Sequence, residues 1–305
     1  MDYLYIVIGL IGLFFGGEAL VKGSVKIAQR LSISPLMIGL TVVGFGTSTP
    51  ELLVSVQAAL RGVPDIAIGN IIGSNIANIL LIAGLTCVVW PIRVKAADVK
   101  RDLGFMTASA VLLVPLFGLG DIGRLTGLIL VAGLTAYLVW TFTMSRQDAA
   151  EVESAEVRSS FGISLLSVAL GLAALVFGAH FLVEGAVSVA RSFGVSEAFI
   201  GLTIVAVGTS LPELATSLIA AFRRQSDIAV GNIIGSNIFN VLGILGVTAL
   251  IAPIPVAGRF LTFDLPVMIA ASGVLMGLLL TRSEIGRGVG AIMLFGYGIY
   301  VFAAQ

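Results

Sequence analysis

Glu51 and Glu213 are where chemistry could start. Each ends a short polar run, Gly46-Thr47-Ser48-Thr49-Pro50-Glu51 and Gly208-Thr209-Ser210-Leu211-Pro212-Glu213, and the two runs stand 162 positions apart inside long apolar segments. An ionised glutamate at the centre of a hydrocarbon layer costs about 2.5–3.5 kcal/mol even on the lenient insertion scale, so two of them need compensation. No Lys or Arg within those segments is placed to offer it. Pro50 and Pro212 lack an N–H and crowd the carbonyl four residues back, which predicts a helix break in each copy and frees the oxygens of Gly46 and Gly208. Such carbonyls are tolerated in a membrane only where protein, water or an ion satisfies them. Hydroxyls surround each break: Thr47, Ser48 and Ser55 in one copy, Thr209, Ser210 and Ser217 in the other. The next segment of each copy adds Asn70, Ser74, Asn75 and Asn78, or Asn232, Ser236, Asn237 and Asn240. Ser74 and Asn78, four apart, share one helix face.

A cation is the natural partner of this set. Calcium takes about six to eight oxygens at about 2.3–2.6 Å in a flexible arrangement, and two carboxylates with mirrored hydroxyls, amides and loose carbonyls supply them. Packing through small residues, such as Gly69 and Gly73, accounts for the glycines but for neither glutamate. Asn70, Asn75, Asn232 and Asn237 fit two roles equally, satisfying broken backbone or binding an ion.

The segments that carry these residues read as membrane spans. The chain is 58% hydrophobic and 11% charged, where a soluble domain carries about 25% charge. Apolar stretches long enough to cross a bilayer of about 30 Å lie at 3–21, 35–60, 66–90, 103–119, 122–143, 162–183, 197–221, 228–252, 262–280 and 286–303, about ten in all. The N-terminus has no basic n-region, so the first span is expected to be retained. With that terminus outside, thirteen Lys and Arg, from Lys22 and Lys26 to Arg282 and Arg287, fall on cytoplasmic connections, against Arg61, Arg124, Arg191 and Arg259 outside. This bias places both termini outside and Trp90 and Trp140 at the inner boundary. Cys87, the only cysteine, is expected to be a buried packing thiol, and a formal net charge of zero points to no nucleic-acid partner.

Residues 39–85 align without gaps on 201–247, with well over half the positions identical, and "DIGR" at 121–124 returns as "EIGR" at 284–287. About five spans separate equivalent points. Because five is odd, the copies must cross in opposite directions about an axis in the membrane plane, and Gly- and Pro-interrupted segments in such a pair point to a site at the midplane. The expected fold is therefore an all-α polytopic membrane protein of about ten transmembrane helices. Its parts are a first five-helix repeat (1–144), a cytoplasmic linker (145–161) and a second, inverted repeat (162–305).

At "GTSTPE" with "GNIIGSNIAN", and "GTSLPE" with "GNIIGSNIFN", the chain resembles the two α-repeats of the sodium/calcium exchanger family, within the cation/calcium antiporter superfamily. The resemblance covers the whole inverted layout. It implies ion coordination by Glu51, Thr47, Ser48, Ser74 and Asn78 and by Glu213, Thr209, Ser210, Ser236 and Asn240, joined by backbone oxygens of Gly44, Thr47, Ala206 and Thr209. It also implies alternating access, with spans one and six sliding over a fixed bundle of the other eight. Some archaeal members have Asp where this chain has Asn240. The proton/calcium branch typically carries a GNxxE-type motif in place of "GTSTPE" and "GTSLPE", which favours sodium as counter-ion over the proton. About 16 polar residues replace the large central domain of eukaryotic members, implying a compact prokaryotic-type protein of the plasma (inner) membrane. The expected function is exchange of Ca2+ for Na+, with H+ exchange as the alternative and, behind it, a passive cation channel, which stands nearer than an enzyme. No cofactor and no oligomer are implied.

Glycines on span one (Gly9, Gly12, Gly16, Gly17) and span six (Gly162, Gly171, Gly178) suit a sliding contact, and glycine-rich packing alone would look the same. Glu18 and His180 occupy equivalent positions on those spans, as do Lys22 and Glu184, and are expected to serve packing or the interface. Asp65 and Asp227 read as helix N-terminal residues. Two membrane carboxylates could also form the acid/base dyad of an intramembrane aspartyl protease. That chemistry needs no mirrored hydroxyls and amides, so no enzyme is expected.

Overall fold

The computed structural model describes residues 2–149, 160–195 and 206–304. Most of the expected linker, and the start of the expected seventh span, lie outside the described residues. The first half runs as α1 (Asp2–Leu31), α2 (Pro35–Ile38), a π-helical turn (Gly39–Val43), α3 (Gly44–Thr47), α4 (Thr49–Leu60), α5 (Pro64–Ile76), a second π turn (Ala77–Ile82), α6 (Ala83–Val89), α7 (Ala96–Gly118), β1 (Asp121–Ile122) and α8 (Arg124–Ala149). The second half runs as α9 (Phe161–Ser192), α10 (Ala206–Gly208), α11 (Leu211–Phe222), α12 (Ser226–Ile238), a π turn (Phe239–Ile244), α13 (Leu245–Ile251), β2 (Ile254–Pro255), a π turn (Phe260–Asp264), α14 (Leu265–Thr281) and α15 (Arg287–Ala303).

Among the described residues seven helices are long and apolar enough to cross a membrane, and the pair Pro35–Thr47 and Thr49–Leu60, bent by 43°, makes an eighth. Ten is the sequence expectation. The two remaining candidates are α11, with 12 residues, and α15, with 17. The upstream part of the span that would contain α11 is outside the described residues, and α15 is about 26 Å long at about 1.5 Å per residue.

Mirrored devices join the halves. Ile92 and Ile285 exchange backbone hydrogen bonds at 3.1 and 2.9 Å, and β1 pairs antiparallel with β2, setting Ile122 opposite Ile254. Ile92 and Ile254 are repeat equivalents, so the same clip is made twice with the partners exchanged. Tyr137 donates to the buried Asp102 at 2.9 Å, and Tyr300 donates to the buried Asp264 at 3.0 Å. Arg224 lies over the Trp90 ring and Arg101 over the Trp140 ring, pairing each indole with a cation of the side expected to be cytoplasmic.

Two apolar clusters organise the interior. The larger joins α5 to α8 with α12 to α15 and buries Cys87. The smaller joins α1 and α9 with residues of α2, α11 and α12. Within it, α1 and α9 run antiparallel with their backbones touching: a Cβ added at Gly171 would lie 2.6 Å from the Leu20 nitrogen and 2.8 Å from the Gly16 oxygen. Gly9, Gly12 and Gly178 make the same kind of approach, whereas Gly17 faces Ile219 of α11 and Gly162 faces open space beyond Ser160. This corrects the role expected of the glycine stripe. Most of it fastens spans one and six to each other, which makes them one two-helix body.

Candidate functional site

The helix breaks are real and fall at Ser48 (φ −81°, ψ 10°) and Ser210 (φ −86°, ψ 7°), both in the sparsely allowed bridge region. Pro50 and Pro212 sit in the first turn of the helix that restarts, α4 and α11, where a missing N–H costs nothing. Glu51 and Glu213 occupy the same first turns. Each carboxylate therefore meets the positive end of a helix, worth about 0.3–1 kcal/mol or more when partly buried. Compensation missing from Lys and Arg comes in part from backbone.

The halves interlock across the breaks. Ser48 Oγ donates to Glu213 Oε1 at 2.8 Å, and Ser210 Oγ donates to Glu51 Oε1 at 3.1 Å. Thr47 Oγ1 donates to Asn232 Oδ1 at 3.2 Å, and Ser236 Oγ donates to the Gly44 carbonyl at 3.1 Å. A hydroxyl that donates still has lone pairs for a cation, so these bonds align oxygens without using them up. The Gly44 oxygen also receives the Ser48 N–H at 3.2 Å, which makes it less free than the resemblance implied.

Asn70 and Asn232 act as braces. Asn70 Nδ2 donates to the Glu51 carbonyl (3.1 Å) and to Ser55 Oγ (3.0 Å). Asn232 Nδ2 makes the same pair of bonds to Glu213 (3.2 Å) and Ser217 (2.9 Å). Of the two roles open to them, both side chains take that of satisfying the broken segment.

Thirteen buried side-chain oxygens among the described residues have no hydrogen-bond partner, and six of them belong to the two repeat motifs: Glu51 Oε2, Glu213 Oε2, Asn78 Oδ1, Asn240 Oδ1, Thr209 Oγ1 and Asn237 Oδ1. Glu51 and Glu213 are each 1% exposed. Buried polar atoms in native proteins are nearly always paired, and the two carboxylates, each joined to a hydroxyl of the opposite half and each with its second oxygen unpaired, offer the all-oxygen chemistry that a hard cation takes. Of the expected ligands, Ser74 is buried on α5, and Ala206 begins α10. The π turns, which the sequence did not reveal, start one residue before Asn78 and Asn240. Such bulges recur where a helix re-aims functional groups.

A second polar cluster was half visible. Glu18 accepts from Arg223 Nε at 2.6 Å and pairs with Lys22 Nζ at 2.7 Å, tying α1 to the residue that follows α11. The equivalent positions at the other end are His180, Glu184 and Arg61. There His180 and Glu184 stand 3.6 Å apart, and Arg61 makes no ion pair with a described residue. α1 packs along α11, whereas the equivalent helices α9 and α4 barely touch. The signal that could have exposed this cluster is the matching placement of Arg61 and Arg223 in the repeat.

One motif is to be added to the sequence reading. Gly118-Leu119-Gly120-Asp121 spells the Gly-x-Gly-Asp signature typical of intramembrane aspartyl proteases. Its Asp121 is exposed on β1, opposite Pro255, whereas the two glutamates are buried.

A family model described as sodium/calcium exchanger protein matches residues 1–143 and 163–304. The chain is 33% identical over 338 residues to the sodium/calcium exchanger MaX1 of Methanosarcina acetivorans, covering 97% of this chain and 96% of that protein. It is 35% identical over 306 residues to the inner membrane protein YrbG of Escherichia coli, covering 97% and 94%. Among solved structures, the sodium-calcium exchanger NCX_Mj soaked with 10 mM Na+ and zero Ca2+ matches with a TM-score of 0.87 at 34% identity, covering 100% of this chain and 99% of that one.

Proposed function

This chain belongs to the sodium/calcium exchanger family, and from that premise we propose that it exchanges Ca2+ for Na+ across a prokaryotic plasma membrane by alternating access. The observation that carries the reading is that Glu51 and Glu213 each meet a serine of the opposite half while keeping a second carboxylate oxygen buried and without a donor. Both ions compete there for overlapping ligands, drawn from Thr47, Ser48, Glu51, Ser74, Asn78 and Gly44 in one half and Thr209, Ser210, Glu213, Ser236, Asn240 and Ala206 in the other. An empty site would leave two carboxylates facing one another in a low-dielectric interior. That penalty disfavours reorientation without cargo and couples the two fluxes. No covalent step and no cofactor is assigned.

The halves, 1–144 and 162–305, act as two inverted repeats joined by the linker 145–161, with both termini outside. The α1–α9 body moves over the rest. Its Glu18–Arg223–Lys22 contact holds the cytoplasmic end shut, while at the outer end the His180–Glu184 pair stays within α9 and makes no ion pair to Arg61.

Sodium-loaded proteoliposomes diluted into sodium-free medium with radioactive calcium test the reading. The sodium gradient alone drives uptake, and a proton ionophore leaves it intact. Uptake that ignores sodium and follows an imposed proton gradient overturns sodium as counter-ion. Calcium flux that needs neither gradient makes the protein a channel.

A further inference from the structure

Asn240 differs from Glu51 and Glu213 in having a direction. A carboxylate offers acceptors at both atoms, but an amide offers an acceptor at one and a donor at the other. Turned by half a rotation, Asn240 would present an NH2 to a cation and repel it. Something must fix which atom faces the site.

The fixing contacts form a chain. Asn240 Nδ2 donates to Asn75 Oδ1 at 3.2 Å, and Asn75 Nδ2 donates to Met268 Sδ at 3.4 Å. A thioether sulfur accepts and never donates, so it selects the NH2 of Asn75. That choice turns the Asn75 oxygen toward Asn240, which selects the NH2 of Asn240 and leaves Asn240 Oδ1 as a buried oxygen with no donor. Reversing Asn240 alone would set two amide oxygens against each other, and reversing both amides would set an oxygen against the sulfur. Asn75, Met268 and Asn240 are each 1% exposed, so no solvent offsets either mismatch.

We propose that Asn75 and Met268 are positioning residues that lock the amide of Asn240 with its oxygen toward the transported ion. The inference rests on Asn240 being a ligand, as read above. The repeat holds the same three parts a second time, as Met106, Asn237 and Asn78. There the chain is not closed: Asn237 Nδ2 turns back to the Ile233 carbonyl at 2.7 Å. The lock therefore acts on one of two equivalent amides.

Met268→Leu keeps the side-chain volume and removes the acceptor. In proteoliposomes it raises the calcium concentration for half-maximal uptake about three- to tenfold, the range of one buried hydrogen bond, with little change in maximal rate. Met106→Leu, the same change at the mirrored methionine, leaves half-saturation where it was. In an Asn240→Asp background no amide direction remains to be fixed, and Met268→Leu loses its effect. An equal rise in both backgrounds, or with Met106→Leu, assigns Met268 to packing and overturns the lock. Asn240→Leu separates the two readings: unchanged half-saturation in that variant removes Asn240 from the site, whereas a rise there without the background dependence leaves the site standing and the lock refuted.

Discussion

The two ends of the α1–α9 body are built from equivalent positions and do different things. At one end Glu18, Lys22 and Arg223 form a tight ion cluster that ties the body to the end of α11. At the other, among the described residues, Glu184 pairs with His180 at 3.6 Å and the exposed Arg61 makes no ion pair. Part of the difference is chemical, because the repeat exchanges a glutamate for a histidine and a lysine for a glutamate. The rest is arrangement. Charged residues stand at both ends, but among the described residues an ion pair ties the body to the neighbouring broken span at one end alone.

The comparison presumes that α1 and α9 move as one body, and the largest structural effect tests that. Gly171→Val drives a side chain into the backbone of Leu20 and Gly16, where overpacking costs about 1–3 kcal/mol or more because neither contact is a side chain that can turn aside. Gly162→Val, whose new Cβ meets only Ser160 Oγ at 3.8 Å, stays within about 0.5 kcal/mol. Thermal unfolding of the purified variants reads both. Similar losses at the two positions would mean that the stripe is not a backbone contact.

A smaller effect sharpens the contrast within the fixed bundle. Tyr137→Phe and Tyr300→Phe each remove a hydrogen bond to a buried aspartate, at a cost of about 1–2 kcal/mol. Asp102 keeps Arg101 at 3.0 Å, whereas Asp264 keeps Arg259 only at 3.4 Å. The loss in unfolding midpoint is therefore greater for Tyr300→Phe, and the reverse order would show that the arginines do not share the load.

The smallest effect bears on the latch itself. Arg223 and Lys22 are half exposed, and contacts of that kind are worth about 0.2–1 kcal/mol each. Arg223→Gln should raise labelling of a cysteine placed near the Glu18 end, from the cytoplasmic side, by up to about fivefold, and Arg61→Gln should leave it unchanged. Equal responses would remove the difference between the ends.

Much of this was legible in the chain. Repetition about an odd number of spans gave the inverted halves, and Pro50 and Pro212 located the breaks, because a missing N–H is a local property. Glu51 and Glu213 stood out because their cost in hydrocarbon needs no partner to be seen. What stayed hidden depends on how the halves meet. Nothing in the sequence states that Ser48 bonds Glu213 rather than its neighbour Glu51, since pairing within and across repeats uses the same residue types. The braces at Asn70 and Asn232 and the amide chain through Met268 were hidden for the same reason. Which helix the glycine stripe meets was hidden too, because a stripe of small residues shows that backbones approach, not which backbone comes.

The central claim is that both halves hold one ion together, through the crossed bonds from Ser48 to Glu213 and from Ser210 to Glu51. Equilibrium binding of radioactive calcium to the purified protein, titrated in the presence and absence of sodium, measures it directly. The account predicts one sodium-displaceable calcium site formed jointly by the two halves. Glu51→Gln and Glu213→Gln each weaken it by about two to four orders of magnitude, corresponding to about 3–5 kcal/mol for breaking one side of a buried charge pairing. Either variant retaining half of the bound calcium at unchanged affinity, or calcium binding that sodium does not displace, would contradict it.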